Sequence, residues 1–297
     1  MVPNLREMNY YASLATVIRM ERCMAQMPQT GLVNVARRGL LRGVGWATIA
    51  EITGFIADRT QAAQSVRTLQ PGQLHIGTYF VNPPFEFVSD GNRIGFEVDL
   101  MNEIAKRLEL RPVFVDTRWE VILREMRHGR FDCIVGGITI TPDREKTLAW
   151  STPYMTTTLS IIVDSDRTPN ATSLADFKDA TVGVQAATTD YDIAMVMQRK
   201  GRIGHVRVYP FAHIERAMTD LIAGRINAVM KVYPVAAWLA KQTPSLRIIA
   251  QVPNDPQPLG IGFNRHNQAL LDAVNGTLAS MQRDGGYQAL IQHWGLA

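Results

Sequence analysis

The sequence contains little cysteine, because only Cys23 and Cys133 occur among its 297 residues. Cys133 lies in the apolar pattern FDCIVGG, so we expect a buried and inert thiol rather than a nucleophile. The six histidines show no ligand spacing, and the P-loop, GxSxG and HExxH motifs are absent. These absences predict no metal site, no cofactor and no catalytic residue of those types.

Long apolar runs and a basic surface are missing as well. No run of 18 or more apolar residues occurs, so a membrane-spanning helix is not expected. The formal net charge is +4, and seven arginines stand against four acids in the first 62 residues. The remainder holds 24 of the 31 basic and 23 of the 27 acidic residues. The basic excess therefore belongs to the N-terminal segment, and a nucleic-acid-binding surface is not expected.

Residues 1–62 form an N-terminal extension, whose part from about residue 36 onward resembles a twin-arginine export signal. Arg37 and Arg38 stand before a mildly apolar stretch, which leads to the small-x-small site TQA at 60–62. Glu51 interrupts that stretch and fits the alternative, an amphipathic helix that belongs to the fold. The resemblance predicts export through the twin-arginine route and a periplasmic location.

From residue 73 onward, strand-like and helix-like segments alternate, which indicates an α/β fold. The strand-like segments are LHIGTYF, RPVFVDT, FDCIVGG, TLSIIVDS, ATVGVQ, VRVYPF, RINAVMKVY and GIGFNR. The helix-like segments are FEVDLMNEIAKRL, WEVILREMRHG, TTDYDIAMVMQRK, IERAMTDLIAG, QALLDAVNGTLASMQRDG and YQALIQHWG. MRHGRFDCIVGG and LIAGRINAVMKV have the same order of features: the end of a helix, the pair Gly-Arg and a buried strand. This repeat predicts two similar lobes. Ligands bind beyond the carboxyl ends of such strands, here at 136–139 and 231–233.

Arg144 occupies an unusual place in GGITITPDREK. The preceding Thr141, Pro142 and Asp143 indicate the start of a helix, where the helix dipole disfavours a cation. An anion in front of the helix would resolve this conflict. The guanidinium offers a planar fork of donors that suits a carboxylate, and the free N–H groups at the helix start would add to the same potential. The alternative is a surface ion pair with Asp143 or Glu145.

The motifs GFEVDL, GRFDCIVGGITITPDREKTLAWSTPY, TVGVQAATT, AGRINAV and RDGGYQALIQHWG follow one another in order. In this order they resemble the bacterial extracellular solute-binding proteins of the family-3 type, which serve importers of polar amino acids. The resemblance implies a two-lobed α/β periplasmic binding protein fold of type II, whose ligand cleft lies between lobes joined by two crossover strands. Lobe 1 would comprise 73–162 plus 256–297, and lobe 2 would comprise 163–255. The implied partners are a small organic anion and the membrane subunits of an ABC permease, and we expect a monomer.

The resemblance also implies a set of ligand-binding residues around the carboxylate of the ligand. From lobe 1 these are Arg144, Thr139 and Gly137, and from lobe 2 they are Thr188 and Thr189 at the start of a helix. Tyr79, Phe85, Trp119 and Tyr191 could wall an apolar or ring-bearing ligand, and each could instead pack in the core. Asp190 is expected more as a favourable acid in the first turn of a helix than as a ligand contact.

The departures from the family pattern bear on the ligand. Relatives that bind α-amino acids carry an aspartate where GRINAVMKVYPV has Val232, and valine cannot pair with an ammonium. Burying an unpaired ammonium costs several kcal/mol, so we expect a carboxylate without a free α-ammonium. Lys231 could favour a second carboxylate, although strand alternation points its side chain away from the cleft. Asn82 stands where the family often has an aromatic residue.

Transport is the first functional hypothesis, and a periplasmic lyase is the second. VGGITITPDREK and WSTPY are also similar to cyclohexadienyl dehydratase, which acts on prephenate or arogenate and uses the same fold. Its dehydration step needs a general acid. The glutamate that supplies it falls on Tyr191 here, and the adjacent Asp190 could take its place. The third hypothesis is a sensory binding module that signals through a partner.

Overall fold

The computed structural model describes residues 66–296. The predicted N-terminal extension, with its export signal, lies outside these residues and stays a prediction. Within the described part of the chain, no helix is long and apolar enough to cross a membrane.

The elements alternate along the chain. The strands are β1 (Gln73–Thr78), β2 (Val81–Asn82), β3 (Glu86–Ser89), β4 (Asn92–Ile94), β5 (Arg111–Asp116), β6 (Cys133–Ile134), β7 (Ala149–Trp150), β8 (Met155–Asp164), β9 (Thr181–Gln185), β10 (His205–Tyr209), β11 (Ala228–Val232), β12 (Leu246–Leu259) and β13 (Gly262–Phe263). The α-helices are α1 (Phe96–Arg107), α2 (Trp119–Arg127), α3 (Pro142–Glu145), α4 (Thr189–Arg199), α5 (Ile214–Ile222), α6 (Tyr233–Gln242), α7 (Gln268–Asp284) and α8 (Gly286–His293).

Two five-stranded sheets organise these elements, and we call each sheet with its helices a lobe. Lobe 1 has the strand order β5-β1-β6-β13-β7, and lobe 2 has the order β10-β9-β11-β8-β12. In both lobes a central strand pairs in parallel with its neighbours: β1 with β5 and β6, and β9 with β10 and β11. The inner strands β1, β9 and β11 are rich in buried apolar side chains, as expected where helices cover a sheet, whereas the edge strands β5 and β10 are more exposed.

Two long antiparallel strands connect the lobes. β8 leaves lobe 1 after β7, and β12 returns to lobe 1 just before β13. They pair along most of their length, and Leu259 of β12 also forms a bridge with Thr139 beyond β6. These strands are the expected crossover connections. The predicted lobe boundaries, at 162/163 and 255/256, fall inside β8 and β12 and stay predictions.

Most predicted segments form the expected element with shorter ends, but several elements have no counterpart in the prediction. β12 was missed because Pro253, Pro256 and Pro258 break its pattern; prolines fit there because β12 is an edge strand. The segment RINAVMKVY was expected to stay extended through Tyr233. Instead the strand ends at Val232 and α6 begins, with Pro234 in its first turn.

Cys133 lies in β6 and is fully buried, which confirms the expected burial of this thiol. Burial is the main cause that raises the pKa of this thiol well above its usual value. A thiol is a nucleophile only as the thiolate, so Cys133 is a packing residue. Within the described residues, no cluster of histidine, cysteine and carboxylate side chains could hold a metal ion.

Candidate functional site

A cleft lies where the strands of the two lobes end. Its walls come from the loop after β6, the start of α2, the start of α4 and the end of β11. The lining residues are Tyr79, Asn82, Trp119, Gly136, Gly137, Thr139, Arg144, Thr188, Thr189, Asp190, Phe211, Lys231 and Val232. The two predicted positions beyond β6 and β11 therefore meet in one cleft.

Arg144 turns its side chain toward this cleft. One guanidinium nitrogen, Nη1, donates to the carbonyl oxygen of Thr139 at 2.7 Å, and the guanidinium carbon lies 5.2 Å from the centre of the Trp119 ring. The alternative ion pair with Asp143 is not formed, because that carboxylate binds Lys146 at 2.6 Å. Burial is the main cause that lowers the pKa of Arg144. The arginine is thus a partly buried cation whose remaining side-chain N–H donors have no hydrogen-bond acceptor within residues 66–296 and can bind an anion.

The short helix that carries Arg144 contributes less to anion binding than expected. α3 is a single turn, and its backbone N–H at Arg144 donates to the hydroxyl of its N-cap residue Thr141 at 3.3 Å. The next N–H, at Glu145, donates to the carbonyl of Thr141. The expected free N–H groups at this helix start are therefore partly occupied. Attraction of an anion here comes from the guanidinium itself.

Thr139 also differs from the expectation. Thr139 was expected to bind the ligand, but its hydroxyl donates to Gln257 Oε1 at 3.1 Å and the residue is almost fully buried. The residue contributes its carbonyl to Arg144 and a wall to the cleft. Gln257 lies in β12, the strand that was not predicted because its prolines interrupt the strand pattern. Sequence patterns therefore gave no signal for this contact.

The turn at Gly136 and Gly137 forms the floor of the lobe-1 side. Gly137 has φ +59°, which is unfavourable for side chains, and a Cβ on it would meet the Phe85 ring at 3.0 Å. Its backbone N–H donates to Glu97 Oε2 at 2.9 Å. The carbonyl of Gly136 accepts from the Tyr79 hydroxyl and, at 3.4 Å, from Asn82 Nδ2.

Behind this turn lie two carboxyl groups that the sequence analysis did not single out. Glu86 and Glu97 are both fully buried. Glu97 accepts from Gly137 and from the hydroxyl of Tyr154. Burial, followed by the charge of Glu97, raises the pKa of Glu86 well above its usual value. The only sequence signal was an acid inside each of the apolar segments FEF and GFEVDL.

Aromatic rings close the cleft on one side. Trp119 begins α2, as predicted, and stacks on Phe211 with ring centres 5.1 Å apart. Phe211 comes from lobe 2 and also meets Tyr79 edge-on at 4.9 Å. The Trp119 indole N–H donates to the carbonyl of Ala186, in lobe 2, at 3.2 Å. The lobes therefore touch across the cleft. Phe211 was missed because it follows β10 in a short turn without a recognisable motif.

On the lobe-2 side, Thr188 and Thr189 lie at the start of α4 as expected. Thr188 is the N-cap, because its hydroxyl accepts from the N–H of Tyr191 at 3.3 Å. The same hydroxyl donates to the carbonyl of Gln185 at 2.7 Å. Within the described residues, the backbone N–H groups of Thr189 and Asp190 have no hydrogen-bond acceptor. They can therefore donate to a ligand in the cleft.

Asp190 and Lys231 form a buried ion pair in the cleft, with Nζ 3.2 Å from Oδ2. Their exposed fractions are 2% and 3%. Asp190 was expected more as a favourable first-turn acid than as a ligand contact, and it lies in the first turn of α4 and also lines the cleft. The expected outward direction of Lys231 is wrong, because alternation fails at the end of β11. Val232 is already the N-cap of α6, so two consecutive side chains line the cleft.

Two predicted wall residues are elsewhere. Phe85 is fully buried in the core of lobe 1, where it packs edge-on against Phe96 at 6.4 Å. It supports Gly137 from behind and does not line the cleft. Tyr191 is half-buried and packs against the hydrophobic core, because it faces away from the cleft one position after Asp190 on α4.

The charges in the cleft leave an excess of one cation. Arg144 and Lys231 are the cations among the lining residues, and Asp190 is the acid. Lys231 and Asp190 compensate each other, so Arg144 is the lining charge that forms no ion pair with any residue that the structure describes. A cleft of this charge balance, with free donors on both sides, is suited to a small monoanion.

Comparison with known proteins gives the family. Residues 74–297 match the family described as bacterial extracellular solute-binding proteins, family 3. The chain belongs to this family. The resemblance found in the motifs is thereby confirmed, together with the two-lobed type II periplasmic binding fold.

Individual relatives of this solute-binding protein are named for amino acids. ABC transporter arginine-binding protein 1 of Escherichia coli (strain K12) is 27% identical, over 75% of this chain and 90% of the relative. An L-cystine-binding protein of the same strain is 30% identical, over 75% and 82%. Among solved structures, an ancestral amino acid-binding protein, described as a precursor of cyclohexadienyl dehydratase, is 32% identical. It has a TM-score of 0.67 and matches 75% of this chain and 95% of its own.

Proposed function

We propose that this protein is the periplasmic solute-binding component of an ABC-type importer and that it captures a small organic carboxylate by closure of its two lobes. The observation that carries this proposal is the partly buried Arg144, which has donors toward the cleft and no carboxylate partner among the described residues. Membership of the family supports the partnership with permease subunits. We also propose that the protein is exported through the twin-arginine route and that it is a monomer.

The ligand proposed here carries no free α-ammonium. Val232 is apolar where an ammonium-pairing aspartate would stand, and the acid that does line the cleft, Asp190, is already paired with Lys231. The relatives named for arginine and cystine bind molecules with an α-ammonium. Desolvating such a group in this cleft without a counter-ion would cost several kcal/mol. A deaminated carboxylate avoids that cost.

The test uses pairs of probes that differ only in the α-amino group. We would measure L-norleucine against hexanoate, L-phenylalanine against 3-phenylpropanoate and L-arginine against 5-guanidinopentanoate by isothermal titration calorimetry. For the pair whose side chain fits best, we expect the carboxylate to bind at least roughly 100-fold more tightly, which corresponds to about 3 kcal/mol. Equal or better binding of the amino acids would overturn the proposed ligand class and leave the importer role standing.

A lyase is less well supported by the site. The dehydratase hypothesis assigned the general acid to Tyr191 or Asp190. Tyr191 does not line the cleft, and Asp190 accepts a hydrogen bond from Lys231 instead of offering a proton to the cleft. Incubation with prephenate is therefore expected to yield no phenylpyruvate above the uncatalysed rate. Turnover that disappears in Asp190→Asn would reverse this conclusion.

Closure itself can be tested through the Trp119 indole. The substitution Trp119→Phe keeps the ring stacked on Phe211 and removes the hydrogen bond to Ala186 that joins the lobes. A lost hydrogen bond of this kind costs about 1 kcal/mol, so we expect roughly five-fold weaker binding of the preferred carboxylate by calorimetry. Trp150→Phe is the matched control, because that indole N–H has no partner among the described residues. Equal losses in both variants would argue against a closing contact at Trp119.

A further inference from the structure

Lys231 is held in the cleft by a specific set of contacts. Its Nζ lies 2.6 Å from Gln185 Oε1, 3.2 Å from Asp190 Oδ2 and 5.7 Å from the centre of the Phe211 ring. The amide of Gln185 is fixed in turn, because its Nε2 donates to the carbonyl of Phe211. Lysine is almost never this deeply buried unless it is paired. These contacts place a primary ammonium group, carried by the protein, inside the ligand cleft.

Asp190 is the acid that this ammonium satisfies. It is the one acidic side chain among the residues that line the cleft in the described part of the chain. Its carboxylate is almost fully shielded from solvent, so it needs a cationic partner. An α-amino acid could supply that partner with its own ammonium group. Here the position is already taken by Lys231.

We propose that Lys231 supplies, from the protein itself, the ammonium group that Asp190 would otherwise accept from an α-amino acid. The inference rests on the proposed function, because the role of Lys231 explains which carboxylates the cleft accepts. Lys231 is then a specificity-determining residue. It rejects a ligand ammonium in two ways, by occupying the carboxylate and by placing a like charge beside it.

The substitution Lys231→Met tests this role. Methionine keeps an unbranched side chain and removes the charge, so Asp190 loses its cation. We expect L-norleucine and L-phenylalanine to bind at least about ten-fold more tightly to Lys231→Met than to the unaltered protein, because their ammonium can pair with Asp190. Hexanoate and 3-phenylpropanoate are expected to gain nothing. The ratio of amino-acid affinity to carboxylate affinity, measured by calorimetry, is the readout.

The double variant Lys231→Met with Asp190→Asn is the matched control. It removes both charges of the pair, so the gain in amino-acid binding should disappear while the packing around Met remains. If circular dichroism showed that Lys231→Met does not fold, the same ratio would be measured in Lys231→Gln. Glutamine removes the charge and retains a hydrogen-bond donor toward Gln185.

The outcomes separate the inference from the proposed function. An unchanged ratio in a folded Lys231 variant would show that the inference is wrong, while Arg144-dependent carboxylate binding would still support the proposed function. If the unaltered protein bound none of the carboxylates, the proposed function would fail for these ligands. A gain of amino-acid binding in Lys231→Met would even then support the role of Lys231.

Discussion

Replacing Arg144 by alanine is expected to weaken binding of the preferred carboxylate by about 2–5 kcal/mol, roughly 30-fold to several thousand-fold in Kd. The guanidinium is the one cation in the cleft without a carboxylate partner among the described residues. Without the guanidinium, a bound carboxylate would be desolvated against the Trp119 ring. The backbone N–H of Gly137 could not compensate, because it already donates to Glu97. Calorimetry with hexanoate or with a ligand that copurifies with the protein measures this loss.

Lys146→Ala provides a control for charge alone. Lys146 lies two residues beyond Arg144, is exposed, and pairs with Asp143 on the surface. Removing it changes the net charge by the same amount and leaves the cleft intact, so binding should stay nearly unchanged. If both variants lost the same affinity, long-range attraction would explain the effect, and Arg144 would not contact the ligand.

The sequence allowed the prediction of the cleft's position for a physical reason. Parallel strands end at the same edge of a sheet, so the residues after FDCIVGG and RINAVMKV had to lie at ligand-binding edges. Arg144 was identified because its charge conflicts with the helix start. The helix start itself contributes less to anion binding than predicted, because α3 is one turn long and the hydroxyl of Thr141 caps the N–H of Arg144.

Contacts between distant segments could not be predicted in the same way. The direction of Lys231 depends on where β11 ends, and the end is set by the helix that starts at Tyr233. The Lys231–Asp190 pair joins residues 41 positions apart, and the Thr139–Gln257 hydrogen bond joins residues 118 positions apart. Periodicity within one segment carries no information about such partners.

The paired carboxyl groups behind the cleft lead to the second large prediction. Glu86 and Glu97 are fully buried, and the polar groups that face Glu86 are Glu97 and Asn82. Tyr79 and Tyr154 lie within electrostatic range of both carboxyl groups, and among the described residues no cation offsets the raised pKa of Glu86. Burial and the neighbouring Glu97 carboxyl both disfavour the ionised form of Glu86. We therefore infer that Glu86 holds a proton in the folded protein.

We expect Glu86→Gln to stabilise the protein increasingly as the pH rises. The pKa of Glu86 is higher in the folded state than in the unfolded state, so the folded protein binds the extra proton. This contribution to stability is fully present below the unfolded pKa of about 4.3 and is lost as the pH rises through the folded pKa. Between the unfolded and the folded pKa of Glu86, the free energy of unfolding falls by about 1.4 kcal/mol per pH unit. Glutamine is always neutral, so Glu86→Gln removes this slope.

Urea denaturation between pH 5 and pH 8 measures the difference between the two proteins. Asp143→Asn is the matched control, because the hydrogen bond from Lys146 lowers the pKa of the exposed Asp143, so this group is ionised throughout the range and its removal should leave the pH slope unchanged. Parallel stability curves for Glu86→Gln and the unaltered protein would mean that Glu86 is ionised in the fold. Glu86 would then place a negative charge behind Gly137. That outcome would also contradict an anion site in the cleft, since a buried carboxylate there would repel the ligand through the same turn.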